Sequence, residues 1–165
     1  GINLEDGLHV DPHIRTVEDA AARIAAARAA ATREGVPIVI NARSDLYLHQ
    51  LRDEPARFDE TVSRCKSYLA AGADCVYPMG LRDPAIIGRL VAAVGAPVNI
   101  TGRAGMPDAA AFERMGVARI TIASAPTLVA MSAVHALAQQ LKSDGKFDGL
   151  AASLKHPEAQ ALFAR

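Results

Sequence analysis

The chain has 165 residues and no formal net charge at neutral pH, because 18 lysines and arginines balance 18 aspartates and glutamates. Half of the residues are hydrophobic and 22% are charged, which is typical of a soluble globular domain and excludes general disorder. The neutral balance argues against nucleic acid as a partner, and no apolar run is long enough to predict a membrane span.

Two cysteines are too few for a disulfide framework in a chain of this size, so we expect a reducing, cytoplasmic environment. Cys65 is expected to pack on a helix face, and Cys75 to face the core from a strand. The sequence starts at Gly1 and enters a strand-like pattern at once. We therefore expect the N-terminus to be truncated.

The first predicted strand, "GINLED", is followed by a loop that contains Gly7 and Pro12. A helix then begins at Thr16, with Asp19 three residues later at the spacing of a capping box, and ends at Gly35.

Four more strand and helix pairs follow in strict alternation. The strands are "PIVINAR", "DCVYP", "PVNIT" and "ARITIA", and the helices are "FDETVSRCKSYLAAG", "DPAIIGRLVAAVG", "PDAAAFERMG" and a segment from about Thr127 to Leu141. Such alternation predicts a parallel α/β sheet. We expect a single domain over residues 1–165, with sheet-forming units to about residue 145 and a helical tail over 146–165.

Two architectures fit this pattern: a five-stranded doubly wound sheet, or part of a (β/α)₈ TIM barrel, which typically needs about 250 residues. In a barrel, the ends of several strands contribute polar residues to one site. Here four apolar core segments are followed by polar residues, which favours the barrel. These residues are Glu5 and Asp6, Arg43 and Asp45, Asn99 and Thr101, and Ser124.

The most informative of these residues is Arg43, whose planar guanidinium suits a carboxylate or a phosphonate. The alternative interpretation is a structural ion pair with Asp45 or Glu5. Glu5 and Asp6 together could hold Mg²⁺, which one or two carboxylates usually bind, or they could only cap the following loop.

Other candidates carry weaker signals. Gly102 and Gly105 follow "PVNIT" and could present backbone N–H groups to an anion, although a flexible turn is the commoner explanation. His9 and His13 lack the spacing of a metal site and are expected to be exposed loop histidines.

Five stretches in this order and spacing resemble the isocitrate lyase/phosphoenolpyruvate mutase superfamily: "GINLEDG", "VINARSDLYL", "YLAAGADCVYPMGL", "PVNIT" and "MGVARITIAS". The resemblance implies a Mg²⁺-dependent (β/α)₈ barrel, of which this chain supplies strands 4–8. It implies a lyase or mutase that makes or breaks a C–C or C–P bond of a small 2-oxo or 2-hydroxy carboxylate through a metal-stabilised enolate.

Carried over by position, the resemblance places Glu5 in the hydrated shell of the metal and Arg43 on the anionic end of the substrate. It assigns substrate contacts to Asn99 and Thr101. It also implies a homo-oligomer, a dimer or tetramer, that exchanges a C-terminal helix.

The chain departs from the lyases of this group at two places. The segment "GLHVDPHIRTVED" lacks the Lys/Arg-Cys-Gly-His gating loop with its general-acid cysteine, and "YPMG" lacks a glutamate. These differences favour a mutase-like branch. Because the direct metal ligand of the family lies on earlier strands, we expect these 165 residues alone to be inactive. The alternatives are a non-catalytic α/β domain and, less well supported for want of a glycine fingerprint, a nucleotide-binding domain.

Overall fold

The computed structural model describes residues 1–8 and 11–164, and Asp11 by its backbone alone. The described part divides into two compact units, Gly1–Ile122 and Ala123–Arg165. Seven strands and four helices form the first unit: β1 (Ile2–Glu5), β2 (Gly7–Leu8), β3 (Asp11–Ile14), α1 (Val17–Arg33), β4 (Ile40–Ser44), α2 (Ala56–Ala70), β5 (Cys75–Pro78), α3 (Pro84–Val94), β6 (Asn99–Thr101), α4 (Ala109–Arg114) and β7 (Arg119–Thr121).

Five of the strands are parallel, and their spatial order follows the chain. β1, β4 and β5 form one sheet, and β6 pairs with β7. An isolated parallel bridge between Val76 and Val98 links β5 to the strand that follows it. A doubly wound sheet reverses its order at a switch point, and this order does not reverse. The strand order therefore agrees with a (β/α)₈ barrel and not with a doubly wound sheet.

The predicted loop after the first strand is different in the structure. Gly7–Leu8 and Asp11–Ile14 pair as an antiparallel hairpin, with a register irregularity between Gly7 and Leu8. Two residues are too few to show an alternating pattern, which explains why the sequence suggested only a loop. His9 lies outside the described residues, and His13 is exposed in β3.

Side-chain oxygens cap three of the helices where the sequence places capping residues. Thr16 accepts a hydrogen bond from the Asp19 amide at the start of α1, and Asp83 and Asp108 do the same at α3 and α4. These bonds satisfy amides that have no partner within the helix. The capped starts fix where each helix leaves the rim of the sheet.

The two faces of the parallel sheet differ in polarity. Alternate residues form a hydrophobic core with the helices, in which Ile40, Val76 and Ile100 are fully buried. Register places the intervening residues on the opposite face. This polar face consists of Asn3, Glu5, Asn41, Arg43, Cys75, Tyr77, Asn99, Thr101, Arg119 and Thr121.

The two cysteines are both free and buried, but they lie in different environments. Cys65 packs in the hydrophobic core as predicted, where burial raises its thiol pKa to about 12. Cys75 pairs in register with Asn41, which puts it on the polar face and not in the helix-facing core. Cys75 is thus buried in a strand as expected, but on the sheet face opposite to the helix-facing cluster.

The second unit is helical. It contains α5 (Ala125–Asp144), a short 3₁₀ helix (Asp148–Ala152) and α6 (His156–Ala161). The predicted helix from Thr127 to Leu141 is thus confirmed and extends further at both ends, with Gly145 closing it in the left-handed conformation. No helix among the described residues is both long and apolar enough to cross a membrane. The boundary expected near residue 145 stays a prediction.

Gly80 lets the loop after β5 approach the loop after β4. Its φ is 89°, and a Cβ there would lie 2.7 Å from the Cα and N of Leu48. We expect Gly80→Ala to lower the free energy of unfolding by about 2 kcal/mol or more, measured by urea denaturation, because backbone strain and a backbone clash add.

The matched control is Gly35→Ala. Gly35 also has positive φ, but nothing lies within 4 Å of the position that a Cβ would occupy there. This variant should lose only about 1 kcal/mol, the cost of the left-handed conformation alone. Equal losses in the two variants would contradict the close contact at Gly80.

Candidate active site

Arg43 lies at the carboxyl end of β4 and binds two carboxylates. Its Nη1 lies 2.6 Å from Glu5 Oε2. Its Nε and Nη2 donate to Asp45 Oδ1 and Oδ2 at 2.6 and 3.0 Å, a bidentate arrangement. The structure therefore brings together three of the predicted strand-end residues. It also contains the ion pairs that the alternative interpretation required.

The electrostatics keep the guanidinium charged. Burial by itself lowers the pKa of Arg43, but its hydrogen bond to Asp45 and the charges of Asp45 and Glu5 outweigh burial and raise it. About a quarter of the Arg43 and Glu5 side chains remains exposed, whereas Asp45 is almost fully buried. Arg43 is thus a permanent cation that is partly exposed to solvent. The buried Asp45 carboxylate holds its orientation.

A cavity of about 500 Å³ opens at this cluster. Glu5, Arg43 and Asp45 line it, together with Gly7, Leu8, Pro12, Leu48 and His49. Gly7 is required beside the cluster, because a Cβ at this position would clash with the Asp45 carboxylate. The cavity has the size of a small-molecule site.

Glu5 and Asp6 do not act as a pair. Consecutive strand residues point to opposite faces, so Glu5 lies on the polar face while Asp6 turns towards α2. Asp6 is buried, where its Oδ2 accepts from the Tyr68 hydroxyl at 2.7 Å and from Arg64 Nη1 at 3.3 Å. The hypothesis that both carboxylates hold a metal is wrong for Asp6, since period-two alternation separates them.

Asp6 instead positions the segment that carries Asp45. Its Oδ1 accepts from the Asp45 backbone amide at 2.8 Å. Burial raises the pKa of Asp6, although hydrogen bonds from Tyr68 and the Asp45 amide and the charge of Arg64 oppose the rise. Arg64 and Tyr68 lie about sixty residues away along the chain, and no local pattern in the sequence signals them.

Glu5 is the residue that fits a hydrated Mg²⁺ best. It offers a hard oxygen donor at the cavity wall, and Mg²⁺ is commonly held through one or two carboxylates with water completing its shell. No group of three or more potential metal ligands occurs in the part of the chain that the structure describes. The donor set therefore suits a water-mediated contact and not a complete metal site.

Asn99 and Thr101 occupy the polar face on β6 but do not line the 500 Å³ cavity. Both side-chain polar atoms of Asn99 are buried and have no hydrogen-bond partner among the described residues. An unsatisfied buried amide costs stability, so a partner from a ligand or from another segment is expected. Asn99 therefore stays a candidate substrate-binding residue, because its buried amide needs a partner.

The Thr101 hydroxyl is already engaged. It lies 2.5 Å from the Tyr77 hydroxyl and 3.4 Å from Met79 Sδ. Sequence reasoning missed Tyr77, although the alternation within "CVYP" places it on the same face as Cys75. His49 at the cavity wall was also missed, and it lies four residues after Asp45, whose carbonyl accepts from its amide at 3.0 Å.

In the turn that contains Gly102 and Gly105, the Gly102 amide already has a partner. The Gly102 amide donates to the Thr121 carbonyl at 2.8 Å, so it is occupied and does not face an anion. A Cβ on Gly102 would lie 3.1 Å from Ile120 Cγ2, and this close contact with β7 gives the glycine a packing role. The commoner explanation, a structural turn, is the one that Gly102 supports.

Comparison with known proteins identifies relatives of about twice this length. Residues 1–142 match the model of the family described as phosphoenolpyruvate phosphomutase. An uncharacterized protein of Mycobacterium tuberculosis (strain ATCC 25618 / H37Rv) is 32% identical over 166 residues, which cover 98% of this chain and 57% of that protein. The chain thus spans little more than half of this relative.

Solved structures agree with the family match. A protein of Burkholderia cenocepacia J2315, provisionally described as a lyase/mutase, is 32% identical with a TM-score of 0.88, covering 99% of this chain and 58% of its own. A 2,3-dimethylmalate lyase of the PEP mutase/isocitrate lyase superfamily is 25% identical with a TM-score of 0.79, covering 98% and 54%. The predicted superfamily is confirmed, and its members include lyases and mutases. With the strand order and the family match together, the chain belongs to the phosphoenolpyruvate phosphomutase family.

Proposed function

We propose that this chain carries part of the active site of a Mg²⁺-dependent lyase or mutase that acts on a small 2-oxo or 2-hydroxy carboxylate. The observation that carries the proposal is the cluster of Glu5, Arg43 and Asp45 at the carboxyl ends of adjacent parallel strands, open to a cavity of about 500 Å³. This is the edge at which barrel enzymes bind their substrates.

In this mechanism, Arg43 binds the carboxylate or enolate oxygen of the substrate. When the bond between the α-carbon and the β-carbon breaks, its electron pair forms the C=C bond of the enolate and the carbonyl π pair moves onto oxygen. The hydroxyl on the β-carbon gives its proton to a base and becomes the carbonyl of the departing fragment, and protonation of the α-carbon later returns the ketone. The guanidinium stabilises that developing negative charge more than it stabilises the neutral ketone. Asp45 holds Arg43 in place, and this orientation removes a reorganisation cost at the moment of reaction.

A bound Mg²⁺ would add positive charge next to the same oxygen, and Glu5 would hold its hydration shell. Glu5 is suited to both roles in turn, since it now pairs with Arg43 Nη1 at 2.6 Å and borders the cavity. Substrate anions would then compete with Glu5 for one side of the guanidinium. Asn99 would supply its unpartnered amide, and Thr101 a hydroxyl, to the substrate from β6.

Under this proposal, the complete active site also needs residues from strands that this chain does not contain. We propose that β1, β4, β5, β6 and β7 correspond to strands 4–8 of an eight-stranded barrel, so that the 165 residues alone are inactive. Self-association as a dimer or tetramer through the C-terminal helices, and a cytoplasmic location, belong to the same proposal.

The second candidate is a non-catalytic α/β domain. The ion pairs of Arg43 with Glu5 and Asp45 favour it, because they also satisfy the guanidinium without any ligand. Ligand binding separates the two candidates, since a purely structural cluster has no reason to bind an enolate mimic.

The experiment is isothermal titration of oxalate, a stable enolate mimic, into the full-length protein with and without Mg²⁺. We expect saturable oxalate binding that requires Mg²⁺. A matched titration with acetate, which has one carboxylate and no enolate-like oxygen pair, should show much weaker binding. If oxalate binds equally well without the metal, or does not bind, the non-catalytic candidate replaces the enzyme.

A further inference from the structure

A second cavity lies beside the candidate active site and is lined by three arginines. It has a volume of about 300 Å³, and its wall contains Arg57, Arg82 and Arg103. Leu48 borders both cavities and lies between the arginine-lined pocket and the Glu5–Arg43 cluster.

The arginines come from the segments that follow three consecutive strands at the carboxyl edge of the sheet. Arg57 lies in the first turn of α2 after β4, Arg82 precedes α3 after β5, and Arg103 precedes α4 after β6. Residues so distant in sequence meet only because parallel strands place their following loops side by side. The arrangement is therefore a product of the fold.

The three arginines differ in their protein partners. Arg57 donates to the carbonyls of Leu51 and Arg52 at 2.9 and 2.6 Å, which shapes the loop that borders the pocket. Within residues 1–8 and 11–164, the guanidinium groups of Arg82 and Arg103 make no hydrogen bond or ion pair with the protein. The guanidinium groups of Arg82 and Arg103 are thus available to a ligand, whereas that of Arg57 is held in the pocket wall by its hydrogen bonds.

The charge of the pocket indicates the class of ligand. No carboxylate of the described residues lines the pocket, and Glu54 beside it lies 3.9 Å from Arg57 Nη1 and offsets one of the three positive charges. Two positive charges remain, which match a phosphate group near its dianionic form. Each arginine guanidinium can donate two parallel hydrogen bonds to two oxygens of one phosphate group. In a concave pocket the electric field of the arginines is stronger than on a flat surface.

We propose that this pocket, between the loops after β4, β5 and β6, binds the phosphate group of a small anionic ligand. The ligand is either a free anion or a phosphorylated acid whose other end enters the neighbouring site at Arg43. The pocket does not depend on Mg²⁺ or on the 2-oxo acid chemistry proposed above. The pocket can therefore be tested independently, and a failure of one proposal does not imply a failure of the other.

The experiment is calorimetric titration of inorganic phosphate into the full-length protein without Mg²⁺, at constant ionic strength set with chloride. We expect saturable binding, and we expect Arg82→Gln and Arg103→Gln each to weaken it about tenfold or more. Both side chains are exposed, so the variants should keep the wild-type thermal midpoint.

Two controls locate the anion. Arg33→Gln removes the same charge from an exposed arginine of α1 that pairs with Glu34, and it should leave phosphate affinity unchanged. Arg43→Ala is the second comparison, because Arg43 is the cation of the neighbouring cavity. A loss in Arg43→Ala without a loss in Arg103→Gln would place the anion in the candidate active site and overturn the proposal. Absence of saturable phosphate binding by the wild type would also overturn it.

A parallel titration with phosphoglycolate distinguishes the sources of the phosphate group. Tighter binding than inorganic phosphate, with the gain removed by Arg43→Ala, indicates a ligand that spans both cavities. Equal affinities that both depend on Arg103 indicate a free anion. Each result supports the pocket, whereas phosphoglycolate binding that is insensitive to Arg82→Gln and Arg103→Gln contradicts it.

Discussion

Replacing Arg43 with alanine is expected to weaken Mg²⁺-dependent oxalate binding by about 30-fold or more, because a hydrogen bond between charged groups contributes about 2 kcal/mol. The substitution removes more than the hydrogen bond to oxalate. Without the guanidinium, Glu5 and Asp45 repel each other and any incoming anion. The measurement is the oxalate titration described above, repeated with the variant.

Arg43→Lys should fail to restore this binding. An ammonium group carries the charge but cannot reproduce the fork that contacts Asp45 with two nitrogens and Glu5 with a third. We expect the lysine variant to resemble alanine more closely than wild type in oxalate affinity. Lysine at full wild-type affinity would mean that only the net charge matters, which contradicts the geometric role assigned to Arg43.

Arg52→Ala is the matched control for these variants. Arg52 also pairs with a carboxylate, Glu60, at 3.1 Å, but its side chain is 59% exposed and does not line the 500 Å³ cavity. Exposed ion pairs contribute about 1 kcal/mol or less to stability. Oxalate affinity should therefore be unchanged in this variant, and a comparable loss would show a nonspecific effect of net charge.

The largest expected effect on stability is that of Asp6→Ala. We expect the free energy of unfolding to fall by about 3 kcal/mol or more, because the substitution removes one of the two carboxylates that pair with buried Arg64 and leaves only Glu60. It also removes the acceptor of the Tyr68 hydroxyl and of the Asp45 amide. Urea denaturation followed by circular dichroism measures the loss.

Asp6→Asn and Asp19→Ala bracket this result. Asparagine keeps one oxygen acceptor for the Asp45 amide but replaces the oxygen that accepts from Tyr68 and Arg64 with an NH₂ donor, so its loss should lie between those of wild type and Asp6→Ala. Asp19 is about half exposed and pairs with Arg15 on the surface of α1, so its removal should cost about 1 kcal/mol or less. An Asp6→Ala loss no larger than that of Asp19→Ala would refute the buried network.

The pH dependence of the Asp6→Ala loss follows from the direction of its pKa shift. Burial raises the Asp6 pKa above its unfolded value despite Tyr68, Asp45 and Arg64. The stabilisation from Asp6 is therefore complete below the unfolded pKa and declines as pH rises through the folded value. The difference between wild type and Asp6→Ala should accordingly be larger near the ordinary carboxyl pKa of 3.8 than at neutral pH.

Local patterns in the sequence determined the class of fold and the edge that carries the site. The capping-box spacing from Thr16 to Asp19 predicted the start of α1, and the structure confirms it. The alternation of apolar segments with polar strand ends predicted the parallel sheet and placed Glu5 and Arg43 at its rim. These features depend on residues that are close together in the sequence. They can therefore be predicted from a single sequence.

Only the tertiary structure decided what each polar side chain contacts. It separated Asp6 from Glu5, joined Asp6 to Arg64 and Tyr68 across about sixty residues, and paired Thr101 with Tyr77. It also assembled the arginine pocket from the segments that follow three different strands. Such contacts depend on how strands align in register and how helices pack against them. Composition and spacing along the chain do not contain that long-range geometry.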